Sequence, residues 1–164
     1  MKYLTVILAF TLTISYSCKY SSSKVKNELL TSSDSLEIIK GVTAALDLYA
    51  DANNALDGER ITNFWSKSPK MIFIVNTVIY SDWNIIHDGC VEFYSSPIDS
   101  TYLNWMQRSI IPISNNHASV YGRYEMYLRI ESGEVLLDVN PYFTAIMVKE
   151  DNMWKVLRGH ESHE

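Results

Sequence analysis

Only two cysteines, Cys18 and Cys90, occur in the 164 residues, so no disulfide framework holds this chain together. No run of five like charges is present, and a net charge of −5 lacks the basic footprint of a nucleic-acid binder. The acidic balance argues against polyanionic partners. A glycine-rich phosphate loop and a G-x-S-x-G elbow are both missing from the sequence. The histidines offer no H-x-x-x-H spacing. His160 and His163 differ by an odd number of positions and point to opposite faces of a continued strand, so no metal site and no cofactor are expected. No internal repeat or second domain is visible. Against these absences stand a hydrophobic fraction of 47% and a large aromatic set of 11 Tyr, 5 Phe and 4 Trp, which suffice for a real core.

The N-terminus reads as an address. Lys2 supplies a positive start, and the apolar run "YLTVILAFTLTI" is too short to span a bilayer comfortably. Small residues Ser15 and Ser17 lead to Cys18, which resembles a bacterial lipobox, although Tyr16 is bulky and Ser15 replaces the usual leucine. The expected organisation is a signal peptide over 1–17, a polar Ser-rich tether over 18–33 beginning at a lipidated Cys18, and one domain over 34–164. That places the protein in the bacterial cell envelope, held to a membrane by acyl chains. The alternative is an ordinary cleaved signal with an incidental cysteine. Removing 1–17 takes away Lys2 and makes the charge one unit more negative. Cys90 is then a lone thiol in an exported protein, safest when buried.

Asp34, with Glu37 three residues on, predicts a helix start, and Leu36, Ile39, Val42, Thr43, Leu46, Tyr49 and Ala50 recur at helical spacing to about Asn54. Asp57 predicts the cap of a second, short helix that buries Ile61, Phe64 and Trp65. "KMIFIVN" reads as a strand. "YSDWNIIHDGCVEFYSS" reads as a third helix with Trp83, Ile86, His87, Cys90, Phe93 and Tyr94 on one face. Gly89 costs that helix about 1 kcal/mol, and Pro97 ends it. Four long strands follow over 102–113, 117–130, 135–149 and 153–162, separated by Ser114-Asn115-Asn116, Ser132-Gly133 and Asp151-Asn152. The order predicts an α+β fold, α-α-β-α-β-β-β-β, with helices on one face of a strongly curved antiparallel sheet.

This order resembles the nuclear transport factor two-like superfamily, and within it the SnoaL-like domains. The residues that carry the resemblance are "LYADANNALDGERITNFW", "VIYSDWNII" and "DNMWKVLRGHES", the last similar to a W-K-[IV]-x-x-x-H-x-S ending through Trp154, Lys155, Val156, His160 and Ser162. The resemblance implies a cone with a pocket at its open end. It also implies a range of roles, from ketosteroid isomerase, cyclases, dehydratases and epoxide hydrolases to domains that only bind small molecules or dimerise through the sheet. For ketosteroid isomerase it places Tyr49 at the tyrosine position. The aspartate base would fall near Val75 and Asn76, and the second acid around Thr144–Ile146, where this chain has no carboxyl group.

The expected pocket residues are Tyr49, Asn76, Trp83, His87, Tyr142, Arg158 and His160, with His87 and Tyr49 as the catalytic candidates. Asp88 is expected to point away from His87. Asp138 and Tyr142 would share one strand face, and Tyr121, Arg123 and Tyr127 would lie on an outer or dimer-forming surface. A Cys90–His87 nucleophile pair fits one helical turn, but a cysteine on an apolar stripe is more often core. Three functions remain: an anchored domain that binds a small, largely apolar ligand or pairs with itself; a cofactor-free isomerase, dehydratase or cyclase; and a structural module whose sheet face is the whole function. An open cavity would favour the first two, and a plugged cone with an apolar outer face the third.

Overall fold

The computed structural model describes residues 29–163. The expected signal peptide, Cys18 and most of the tether lie outside them. Helix α1 (Ser32–Asn54) starts before the predicted Asp34 cap, because Thr31 is the N-cap and Asp34 its N3 partner. Thr31 Oγ1 accepts from the Asp34 N–H at 3.1 Å, and the Asp34 carboxylate accepts from the Thr31 N–H at 3.0 Å, a reciprocal capping box. The Thr31 hydroxyl also donates to the Asp34 carboxylate at 2.7 Å, and this bond first, then that from the Thr31 N–H, holds the Asp34 carboxyl below its ordinary range. The buried stripe runs Ile38, Val42, Leu46, Ala50 and Asn53, while Leu36 is exposed.

Helix α2 (Gly58–Thr62) is capped by Asp57, as the sequence indicates. Beyond it, Phe64 and Trp65 are buried, and the chain is pinned by backbone bonds from Val156 N to Phe64 O (2.8 Å) and from Ser66 N to Val156 O (2.9 Å). Strand β1 (Ile72–Val75) turns at Asn76, whose φ of 52° suits an asparagine, into β2 (Val78–Tyr80). This short hairpin partner lacks a sequence signal of its own. Helix α3 (Trp83–Tyr94) is capped by Asp82.

The remaining strands are β3 (Ile98–Ser114), β4 (His117–Ile130), β5 (Val135–Val139), β6 (Tyr142–Glu150) and β7 (Met153–Ser162). The predicted single strand over 135–149 is two, because Asn140-Pro141 interrupts the ladder. β5 pairs with one end of β4 and β6 with the other. The sheet runs β2-β1-β7-β6-β4-β3 with β5 alongside β4, and only β1–β7 is parallel. Helices thus cover one face of a mixed, mostly antiparallel sheet. Asp151 (φ 50°) and Asn152 (φ 62°) form the left-handed turn that joins β6 to β7.

The alternation read in β4 holds: Ala118, Val120, Gly122, Tyr124 and Leu128 are buried. Two side-chain bridges fix α1 on this inner face. Trp105 Nε1 donates to Leu46 O at 3.0 Å, and the Asn54 amide both accepts from Leu103 N (2.6 Å) and donates to Leu103 O (3.1 Å). The Asn54 side chain thereby satisfies both backbone groups of Leu103 on β3.

Candidate functional site

Between α3 and the β1–β2 hairpin lies a cavity of about 340 Å³. Phe73, Val75 and Tyr80 form one wall, and Ile86, Gly89, Cys90, Phe93 and Tyr94 the other. Tyr49, Trp65 and Glu161 close its interior end. Most of this lining is apolar or aromatic. The Trp65 indole N–H is buried and has no acceptor among the described residues.

Glu161 is the charged group of this site, and it is 8% exposed. Its Oε1 lies 2.6 Å from His163 Nε2. Its backbone carbonyl accepts from Asn76 N at 2.8 Å, while Asn76 Oδ1 accepts from His163 N at 2.8 Å. Three tyrosines surround it. Tyr49 ionises well above its ordinary range because burial disfavours the phenolate, and the Glu161 charge adds to the effect. Burial also raises Tyr124, with Tyr49 and the Glu161 charge contributing. Tyr94 is raised by burial as well, and its hydroxyl donates to Asn53 Oδ1 at 2.5 Å. The cluster is therefore three neutral tyrosines around one carboxylate, whose side-chain hydrogen bond among the described residues is to His163. Such a set can hold a polar group of a ligand in a fixed orientation. Burial pushes the Cys90 thiol up to about 11, so little of it is the reactive thiolate at neutral pH.

Of the seven residues expected in a pocket, Tyr49 alone lines this one. Its ring stacks on Phe64 with centroids 4.2 Å apart and meets Trp65 edge-on at 5.7 Å. Asn76 sits at the exposed β1–β2 turn as a tie for the end of β7. Trp83 packs at the start of α3: its Nε1 donates to Thr62 O at 3.1 Å, and Lys67 Nζ stands 3.8 Å from its ring centroid. Tyr142 is on the outer sheet face, stacked near Tyr121, with the Arg123 guanidinium 5.1 Å from its ring centroid.

Arg158 and His160 are also outside, in a shallow depression with Ile72, Ile74, Tyr121 and Ile146. Strict alternation along β7 would turn them inward with Trp154 and Val156. A bulge overturns that reading: Met147 pairs with Val156 but Ile146 pairs with Arg158, leaving Leu157 as an extra residue. The inward set therefore changes from Trp154 and Val156 to Gly159 and Glu161. Glu161, which alternation assigns to the far face, enters the cone for this reason.

His87 is not among the residues lining the cavity, so it is not assembled with Tyr49. Its Nδ1 lies 2.9 Å from Asp88 Oδ1 and its Nε2 lies 3.1 Å from Glu59 Oε2, and its ring rests against Trp83. Asp88 is thus a partner of His87, contrary to the sequence expectation. The ring bridges α3 to α2 from the outside.

The hydrogen bond to Asp88 first, then that to Glu59, raises the His87 pKa above 6.5. Because the folded value exceeds the unfolded one, the stability His87 contributes is fully present below about pH 6.5. It is lost as pH rises through the raised folded value. Thermal midpoints of the wild type and His87→Gln measured from pH 5 to 9 should therefore differ at the acidic end and converge at the alkaline end. A gap that widens with pH would contradict the bridge.

No family model matches the sequence, and no curated protein matches it. Solved structures do. A candidate scytalone dehydratase from Novosphingobium aromaticivorans superposes with a TM-score of 0.72 at 12% identity, over 82% of this chain and 89% of that one. A nuclear transport factor 2-like protein of unknown function from Shewanella oneidensis gives 0.62 at 18% identity, over 76% and 98%. A nuclear transport factor 2-like superfamily protein from Salmonella enterica gives 0.64 at 15%, over 78% and 92%. At these identities the likeness is one of fold, and the chain adopts the nuclear transport factor 2-like, cystatin-like cone.

Proposed function

We propose that the protein is an exported cone domain, anchored through a lipidated Cys18, that binds a small, largely apolar ligand between α3 and the β1–β2 hairpin. The observation that carries the reading is the cavity of about 340 Å³, with aromatic and aliphatic walls and one carboxylate at its interior end. Sites for small ligands have this composition: apolar walls for affinity and a few convergent polar groups for orientation. Tyr49, Tyr94 and Tyr124 stay protonated across the physiological range, and the Glu161 carboxylate is an acceptor at the cavity's interior end. Binding rather than proton transfer is the chosen role, since the proposed His87–Tyr49 pair is split between the outside of α3 and the core. SnoaL-like membership within the wider fold belongs to this same reading, on the strength of the sequence motifs.

Calorimetric titration with 2-naphthol, a small uncharged aromatic alcohol, tests the cavity. The wild type should bind it, Val75→Trp should abolish binding while keeping the fold, and Glu161→Gln should weaken it about tenfold through the lost charged acceptor. Unchanged affinity in Val75→Trp would sink the assignment of the site. The anchor is tested separately by mass spectrometry of membrane-extracted protein. A mature chain beginning at an acylated Cys18 is expected, and a chain beginning elsewhere would overturn it.

A second reading is favoured by one observation on the opposite side of the sheet. Ile111 is 62% exposed there, beside the exposed Tyr121 and Tyr142 and the depression containing Ile72, Ile74 and Ile146. Exposed apolar side chains gathered on one sheet face suit a self-complementary contact with a second copy. Light scattering after size exclusion should report a dimer that Ile111→Glu with Tyr121→Arg converts to monomer. A monomeric wild type at high micromolar concentration would remove this reading and leave the cavity untouched.

A further inference from the structure

A second cavity, larger than the one beside the β1–β2 hairpin, runs along α1. It is a groove of about 480 Å³ between that helix, the chain at the end of α2 and the β6–β7 turn, a volume in the range of small-molecule sites. The two linings share Tyr49 and no other residue.

The sequence of α1 explains the groove. The helix spends one stripe, Ile38, Val42, Leu46 and Ala50, on the core. A second stripe, Gly41, Ala44, Ala45 and Leu48, recurs at spacings of three and four and lines the groove instead. Three of these four residues are small, so the helix offers a low track, with Leu48 60% exposed at its end. Gly41 lets the track settle onto Trp154, since an added Cβ would stand 2.7 Å from Trp154 Nε1. From Glu37 to Leu48 the lining follows the helix for about 16 Å.

The charge of the groove runs against that of the chain. The protein carries −5, yet the charged lining is Lys40, Arg60 and Lys149 against Glu37 alone. The Arg60 head stands 3.8 Å from Asp57 and the Lys149 ammonium 3.8 Å from Glu37, both beyond hydrogen-bond distance. Lys40 pairs with no carboxylate among the described residues. Elsewhere on the surface the match is close: Arg108 bonds Asp47, and Arg129 meets Asp99 at 2.8 Å. Two of the unmatched cations share one end of the track. Lys149 reaches toward Glu37, and Lys40 is one helical turn from Glu37.

We infer that this groove binds a single-chain anionic amphiphile, with its carboxylate between Lys40 and Lys149 and its aliphatic chain along Gly41, Ala44, Ala45 and Leu48. An elongated apolar track with a cationic end selects that shape. A compact apolar body would leave much of the track wet, and a cationic head would meet two ammonium groups. Withdrawal of the aliphatic chain from water supplies the attraction, and the two lysines set its direction. The site is separate from the cavity beside the hairpin, and neither needs the other.

Calorimetric titration with dodecanoate below its micelle concentration tests the groove, on the full chain carrying Cys18→Ser so that no acyl group of its own competes. The chain should bind it. Ala44→Trp, at an exposed helix position, should weaken binding about tenfold or more by filling the track. Leu48→Glu, which sets a charge on the track, should do the same and stands in if the tryptophan variant loses its fold by circular dichroism. Lys40→Gln with Lys149→Gln should weaken binding about tenfold, and Glu37→Gln should tighten it several-fold by removing the one carboxylate at that end. Dodecyltrimethylammonium, the cationic counterpart, should bind at least about tenfold more weakly than dodecanoate. Val75→Trp, which fills the other cavity, should leave dodecanoate binding unchanged. Absence of binding would overturn the inference and leave the naphthol titration of the hairpin cavity untouched. Binding kept in Ala44→Trp and Leu48→Glu but lost in Val75→Trp would overturn it by moving the amphiphile to that cavity. Equal affinity for the two amphiphiles, or indifference to the lysine pair and to Glu37→Gln, would overturn the anionic head.

Discussion

One extra residue in β7 decides what the cone contains. Upstream of Leu157, Trp154 and Val156 are buried, with Trp154 held against Gly41 of α1. Downstream, Gly159 lies under Phe73 and Glu161 enters the cavity. A strand without the bulge would bring the Arg158 guanidinium and the His160 imidazole against Phe73 and Val75, where no counter-charge waits, and would turn Glu161 out to solvent. Burying an unpaired charge costs far more than the local disruption of one ladder position. The bulge therefore selects a single acidic group for the interior and sends two basic groups outside.

That acidic group is paired with His163 and surrounded by neutral tyrosines drawn from distant segments. Tyr49 comes from α1, Tyr94 from α3, Tyr124 from β4 and His163 from the end of β7, and Asn53 ties Tyr94 back to α1. A buried carboxylate packed among side chains from α1, α3 and β4 restricts how those elements can pack, since a shift of any of them changes the surroundings of the charge. α3 has few such ties of its own, as Ile86 is its one fully buried residue. It is fastened at its first turns by Trp83 to Thr62 and by His87 to Glu59. At its last residue Tyr94 ties it to Asn53 of α1, so this wall of the cavity is held at both ends.

Much of the fold was legible in the sequence because local chemistry fixed it. Apolar periodicity marked α1 and α3, Asp57 marked the start of α2, and Asp151-Asn152 marked the last hairpin. The errors fall where non-local pairing decides. Thr31 displaced Asp34 as cap since both residues of the box bond each other, a reciprocity that either one alone suggests ambiguously. β2 has only three residues and exists by pairing with β1. Pro141 was the readable signal for the break between β5 and β6, because proline cannot donate to a central ladder. The site was less legible than the fold: the six misplaced residues lie on the outer sheet face, at a turn or in a helix-to-helix packing contact. Glu161 was hidden by a bulge whose cause is the pairing of β6 with β7 rather than any property of Leu157.

The same bulge separates the two meanings carried by the C-terminal motif. Trp154, Lys155, Val156, His160 and Ser162 match the ending that suggests the fold, and the structures with this cone bear that fold out. Within the motif, Trp154 and Val156 are core, whereas His160 lies in the outer depression with Arg158 and Ile146. A pattern can therefore identify an architecture while its most chemically suggestive residue stands outside the cavity. The interior chemistry sits at Glu161, one position beyond His160, and the difference between those two positions is the difference between the two faces of a strand.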